Sequence, residues 1–326
     1  MIEILLVFAL AIGLAWPLGH YLAKVMRGAP MPGDRVFGWL EKPVYRLLGT
    51  DPQRGMSWRG YAKAFLLSNI AVGVLVWMLL MTQAWLPLNP DAVPNMRWDL
   101  ALHTMVSFLT NTNQQHYSGQ AQLSYLSQMV GIVGLQVATP MMGLALVVAT
   151  LRALFGGKEG DAHVTGEANV GNYWADVTRA TVRVLLPLCL VWSLLLTSQG
   201  VPSTLAAGPT VVPIDASAQM AEQKIPLGPV AAMVAVKQLG TNGGGWYGPN
   251  SAVPLENPTP FSNLLEVVGI ILLPLAVVFM VGPLVGRRKL TAMIFGCMLS
   301  MSAVSTGLAV WSEADSSTAS DVAGLV

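Results

Sequence analysis

The chain has 326 residues, 53% of them hydrophobic and 11% charged, with a net charge of +1. Soluble domains carry about 25% charged residues, so a soluble globular class is excluded. The near-neutral balance leaves no electrostatic footprint for nucleic acid or another polyanion.

Hydropathy predicts about six spanning helices, each near the ~20 residues that cross a hydrocarbon core. In chain order they fall at Ile2–Tyr21, Ala62–Trp85, Gln128–Leu154, Val182–Leu196, Leu264–Val285 and Thr291–Trp311. The first has Glu3 and no basic residue ahead of its apolar run, so it reads as a retained anchor rather than a secretory signal. Cys189 and Cys297 both lie in apolar runs and are expected to be buried, inert thiols.

Basic residues cluster in alternate connections. Eight surround the first, from Lys24 to Lys63. Arg152, Lys158, Arg179 and Arg183 surround the third, and Arg287, Arg288 and Lys289 the fifth. Together they make 15 of the 18 basic residues. The positive-inside rule then puts the N-terminus and the second and fourth connections outside, with the basic loops in the cytoplasm. The first basic loop, with Pro30, Pro32, Pro43 and Pro52, is expected to meet anionic lipid.

The two outer connections share a plan. In "RWDLALHTMVSFLTNTNQQHYSG", Asp99 is the candidate N-cap of an apolar run ending at Leu109. In "PLGPVAAMVAVKQLGTNGGGWYGPN", Pro229 opens a similar run ending at Leu239. Each run is about 11 residues, or roughly 16 Å of helix, half a bilayer core. Thr110-Asn111-Thr112-Asn113 follows the first, and Thr241-Asn242-Gly243-Gly244-Gly245 follows the second. A spanning helix comes next in both. One such polar stretch reads as an external turn; two, matched in length and side, read as re-entrant pore loops. Irregular backbone at membrane depth must be buried in protein or line a watery cavity. A descending half-helix aims its negative dipole end at the loop behind it. Carbonyl groups there suit a dehydrated monovalent cation, as in potassium filters. Neither segment holds a carboxylate, which disfavours a divalent-cation ring.

These residues carry a resemblance. "DLALHTMVSFLTNTNQQHYSGQ" and "GPVAAMVAVKQLGTNGGGWYGPNSAVPLENPT", with "WPLG" and "LPLNP", resemble the potassium-transporting ATPase A chain family, KdpA, over nearly all of residues 1–312. The resemblance implies an all-α integral membrane protein of helix–pore loop–helix repeats. This is the fold of the potassium transporter superfamily, here with six spanning helices and two re-entrant half-helices. It implies division into residues 1–61 (anchor and basic loop), 62–154 (first repeat), 174–285 (second repeat) and 286–326 (an incomplete third repeat and tail). It implies K+ as the transported ion, no cofactor and no catalytic residue. ATP hydrolysis would belong to a P-type partner, KdpB, with KdpC and KdpF completing a bacterial inner-membrane importer. Its filter residues carry over to Thr110, Asn111, Thr112 and Asn113, and to Thr241, Asn242, Gly243 and Gly244. Gln115, Gly245 and Lys237 carry over as support.

The family's third and fourth pore loops have no counterpart. The chain therefore reads as a nontransporting fragment, or as a half completed by another copy or polypeptide. An ATP-independent transporter of the same superfamily is the alternative that the paired signatures disfavour. Lys237, three residues before Gly240, is costly at membrane depth unless paired or solvated. It calls for Glu222 or Glu256, or else repels excess cations; pairing is the preferred reading. His20, His103, His116 and His163 show no ligand-like clustering, and His116 reads as an exposed loop residue rather than a pH-tuning group. Gly243 to Gly248 formally matches a dinucleotide fingerprint, but it follows a half-helix rather than a strand.

Overall fold

The structure, a computed structural model, describes residues 2–155, 169–214, 220–248 and 250–314. Lys158, His163, Pro249 and residues 315–326 lie outside them.

Helix α1 (Ile2–Arg27) carries Lys24 and Arg27 in its last turn, where the helix dipole favours cations. Ala11, Ala15, Gly19, Leu22, Ala23 and Met26 line its buried face. Small residues there let two backbones approach. A Cβ at Gly19 would lie 2.5 Å from the carbonyl oxygen of Ala276 in α10 (Pro260–Val285).

The first basic loop is more than a loop. It folds as α2 (Asp34–Leu47), with Pro43 inside and Glu41 and Tyr45 buried. Arg183 holds it down: Nε and Nη2 donate to Glu41 at 2.5 and 2.9 Å, and Nη1 to Asp34 at 2.6 Å. The Met31 amide and Arg183 keep the Asp34 carboxyl below its ordinary range.

Helix α3 (Trp58–Thr82) starts on a Ser57 cap and runs through a 3-10 turn to Trp85. Short helix α4 (Trp98–Leu109) follows, then an irregular segment containing the single turn α5 (Gly119–Gln122). A π-helical turn at Ser127–Ile132 leads into α6 (Val133–Phe155). Next come α7 (Tyr173–Ala180), a second π turn at Thr181–Leu185, and α8 (Leu186–Ser198). Two two-residue strands pair antiparallel, β1 (Thr210–Val211) with β2 (Gln223–Lys224). Short helix α9 (Val230–Leu239), α10 and α11 (Arg288–Ala314) complete the order. A capping box between Thr259 and Ser262 starts α10. The sequence long helix, short helix, irregular segment, long helix thus occurs twice.

All six expected spans are present, and each is longer than hydropathy gave. The protein is an all-α, multi-pass membrane protein. The largest correction is the fourth span, which begins at Tyr173 rather than Val182. Hydropathy stopped short of Asp176 and Arg179, but the acid is paired from another element. Arg152 in α6 meets Asp176 at 2.5 and 3.0 Å and also donates to Val170 O and Met26 O. The Tyr61 hydroxyl adds a bond to Asp176 at 3.1 Å. Burying a charge is tolerable when it is paired and hydrogen-bonded, so the helix continues. Of the cysteines, Cys189 is buried, whereas Cys297 is exposed, on a helix with no buried residue among those described.

Candidate functional site

Helices α4 and α9 end against one another's loops in the centre of the fold. Helix α9 is buried almost all round: Val230, Ala231, Met233, Val234, Ala235, Val236, Lys237 and Leu239 all lie inside. Helix α4 buries Ala101, Thr104, Met105, Ser107 and Phe108 and leaves the opposite side open. Its cap differs from expectation. Arg97 occupies the N-cap and Asp99 lies inside the first turn, where it pairs with Arg97 at 3.1 Å. An acid there still complements the dipole.

Both helices close with the same hydrogen bonds. Thr110 N bonds Val106 O, Asn111 N bonds Phe108 O, and Thr112 N bonds Ser107 O. In the second unit Gly240 N bonds Val236 O, Thr241 N bonds Gln238 O, and Asn242 N bonds Lys237 O. The counterpart of Thr110–Asn113 is therefore Gly240–Gly243. The sequence match of Thr110-Asn111 with Thr241-Asn242 is offset by one residue.

Backbone angles follow that register. Thr110 has φ −86°, and Asn111 has +59°. Gly240 has φ −77°, and Thr241 has +57°. A β-branched residue at positive φ is strained, and such strain concentrates at functional sites. The match ends there: Asn113 is left-handed at φ +57°, whereas its counterpart Gly243 is not, and Gly244, one residue further on, is at +73°. Among the described residues no donor reaches the carbonyl oxygens of Thr110, Asn111, Thr112 and Asn113, nor those of Gly240, Thr241 and Asn242. These free carbonyls lie where two short helices direct the negative ends of their dipoles.

Amide side chains join the two loops. Gln115 accepts from Gly245 N at 2.8 Å and donates to Gly245 O at 3.2 Å. Asn113 Nδ2 lies 3.4 Å from Asn242 Oδ1. Two residues that sequence reading missed complete the frame. The side chain of Gln136 in α6 donates to Gly243 O at 3.1 Å, and its backbone carbonyl accepts from Asn242 Nδ2 at 2.8 Å. Gln128, also leading into α6, donates to Trp246 O at 3.2 Å. Their signal was a lone amide in an apolar span, which has no reason to be there unless it meets a polar partner.

The last loop carbonyl is held from behind in both units. Ser107 Oγ donates to Gln114 O at 2.9 Å. Seven residues before Gly244, Lys237 Nζ takes the same place and lies 3.3 Å from Gly244 O. Of its two candidate partners, Lys237 pairs with Glu256, at 3.0 Å, and it also bonds Ser251 Oγ at 2.6 Å. Glu256, fully buried, accepts from Ser251 N and Tyr247 N as well. Its carboxylate thus ties down the chain that returns from the second loop.

Among the described residues no group of three or more His, Cys, Asp or Glu stands ready for a metal. The four-histidine expectation does need one correction. His103 and His116 face each other with ring centroids 4.5 Å apart.

Comparison with known proteins agrees in one direction. The family model described as KdpA, potassium-transporting ATPase A subunit, matches residues 5–324. A curated relative from Pseudomonas aeruginosa, named potassium-transporting ATPase potassium-binding subunit, is 45% identical over 95% of this chain and 54% of its own length. Relatives of the same name from Desulfovibrio desulfuricans and Gloeobacter violaceus are 43% and 39% identical, over 93% and 96% of this chain and 52% and 54% of theirs. The chain spans about half the length of the curated relatives it matches. With its paired short helices and matched loops, the chain belongs to the KdpA family of potassium-transporting ATPase A subunits.

Proposed function

We propose that this chain is the potassium-binding, pore-loop part of an ATP-driven potassium importer. The observation that carries the reading is the pair of register-matched loops with free carbonyls at Thr110–Asn113 and Gly240–Asn242. Potassium sheds its water at such a place because several carbonyl dipoles replace the hydration shell. Gly243 and Gly244 continue the second segment, with one lone pair of each carbonyl already engaged by Gln136 and Lys237. Gln115, Gly245 and Lys237 brace the loops rather than touch the ion.

Residues 62–154 and 174–285 act as two helix–pore loop–helix repeats. Residues 1–61 form an anchor with a lipid-facing basic segment, and 286–326 begin a third repeat. Two loops flank an ion on two sides only; groups beyond these two repeats close the rest of the ring. ATP hydrolysis belongs to a P-type partner of the KdpB kind, with KdpC- and KdpF-like subunits, in a bacterial inner membrane. The basic loops face the cytoplasm and the N-terminus faces outward.

The test is stabilisation by ions. A ligand that binds only the folded form adds about 2.7 kcal/mol at a hundred times its Kd. The purified chain should melt higher in potassium than in equal sodium or choline. Gly243→Asp supplies the control. A Cβ at Gly243 meets nothing closer than 3.4 Å, so the first carbon is accommodated and the change places a charge beside the loop carbonyls. It should abolish the potassium-over-sodium difference. A preference that survives this change would sink the filter assignment.

A further inference from the structure

His103 stands on α4, on the face it leaves open, and His116 stands three residues beyond Asn113. Both are exposed, their ring centroids are 4.5 Å apart, and the rings are tilted by 66°. Among the described residues neither imidazole makes a hydrogen bond. His20 is the contrast: its Nδ1 lies 2.9 Å from Trp16 O. A structural histidine usually spends its ring nitrogens on such partners.

The register between the two units sharpens the point. The same places in the second unit hold Met233 and Trp246, both buried in the main core. There the pair of positions is filled by apolar packing. In the first unit it carries two exposed nitrogen ligands.

We propose that His103 and His116 form a two-histidine site for a borderline divalent transition-metal ion such as Zn2+. Imidazole is the ligand such ions favour. Zinc–nitrogen bonds of about 2.0–2.1 Å in a tetrahedron place two donor nitrogens roughly 3.3 Å apart. Rings centred 4.5 Å apart bring the two imidazoles within reach of that spacing. Both backbones are already fixed. His103 is inside a helix, and His116 is flanked by the Gln115 clamp on Gly245 and by Tyr117, packed against the core. Preorganised ligands of this kind raise affinity without new contacts. Asp99, one turn before His103, is paired with Arg97 and is not a ligand. Water completes the coordination, so the site stays open. Metal binding does not depend on the potassium reading. Its consequence does: a dication beside the first loop would repel entering potassium.

The experiment is a Zn2+ titration by calorimetry of the whole chain, freed of any polyhistidine tag. One ion per chain is expected. His103→Ala and His116→Ala should each weaken binding at least tenfold, and the double variant should lose little more. His20→Ala and Cys297→Ser should bind as the unmodified chain does, since His20 is engaged elsewhere and Cys297 is a lone exposed thiol. His103→Asn repeats the test with a side chain that keeps polarity. Its loss should match that of His103→Ala. No binding by the unmodified chain up to about 1 mM Zn2+ overturns the proposal. So does a loss smaller than tenfold in either single histidine variant, or an equal loss in the Cys297→Ser chain.

Discussion

The two loops reach one backbone shape by different means. The first is held by neutral groups: Ser107 behind Gln114, and side-chain amides at Asn111 and Asn113. Its helix has one open side, and Thr110 and Thr112 are partly or fully exposed. The second is built from glycines, sunk in the core, and held by a buried Lys237–Glu256 pair. Water can still reach the first loop and repair a lost bond. The buried Lys237–Glu256 pair of the second has less access to water. A loop deep in the fold therefore needs stronger fixing, and a charge supplies it only if its counter-charge is buried alongside.

The largest break in this comparison is Lys237→Met. It leaves Glu256 charged and buried without its partner, a loss of about 3–5 kcal/mol. The apparent melting temperature in detergent should fall sharply, together with any potassium-specific stabilisation. Adding Glu256→Gln should return part of the loss, because the orphaned charge is gone. A double variant worse than the sum of its singles would mean that the pair does not act as a unit.

Gly240→Ala comes next, at up to about 3 kcal/mol of overpacking. A Cβ there would lie 2.4 Å from Asn242 Nδ2 and 2.9 Å from the carbonyl oxygens of Gln136 and Val236. Its counterpart, Thr110→Ala, removes an exposed hydroxyl and should stay within about 0.5 kcal/mol. Equal melting curves for the two would contradict the one-residue register. Gln115→Leu lies between the loops and should cost about 2 kcal/mol, since it leaves both Gly245 N and Gly245 O without their partner. Hydrogen exchange at Gly245 should rise in that variant while exchange in α9 holds.

Much of this was legible beforehand, and the misses have physical causes. Apolar length alone located six spans and two short helices. It misplaced the start of the fourth span because hydropathy counts Asp176 as an exposed charge. Its partner, Arg152, comes from a distant element. The Thr-Asn dipeptides matched by identity, whereas the fold matches by distance from the helix end. Lys237 demanded an acid, but Glu222 and Glu256 differ only in three dimensions. Gln136 was invisible as part of the site because it belongs to the span that follows the first loop yet serves the second. His103 and His116 lie on different elements, so spacing gave no sign of their contact.

A small expected effect is the sharpest on the comparison. Ser107→Ala removes the hydroxyl that donates to Gln114 O at 2.9 Å. The backbone bonds from Thr112 N and Asn113 N to Ser107 O do not involve that side chain. A neutral hydrogen bond contributes about 1 kcal/mol, and Gln114 is exposed enough for water to replace the donor. The melting temperature should drop slightly, and exchange at Gly244 and Gly245 in the second loop should not change. Lys237 does the same job for Gly244 O that Ser107 does for Gln114 O, so the ratio of the two losses measures what burial adds. If Ser107→Ala costs as much as Lys237→Met, water does not repair the first loop. The two loops are then held equally tightly, and the charge at Lys237 exists for some purpose other than depth.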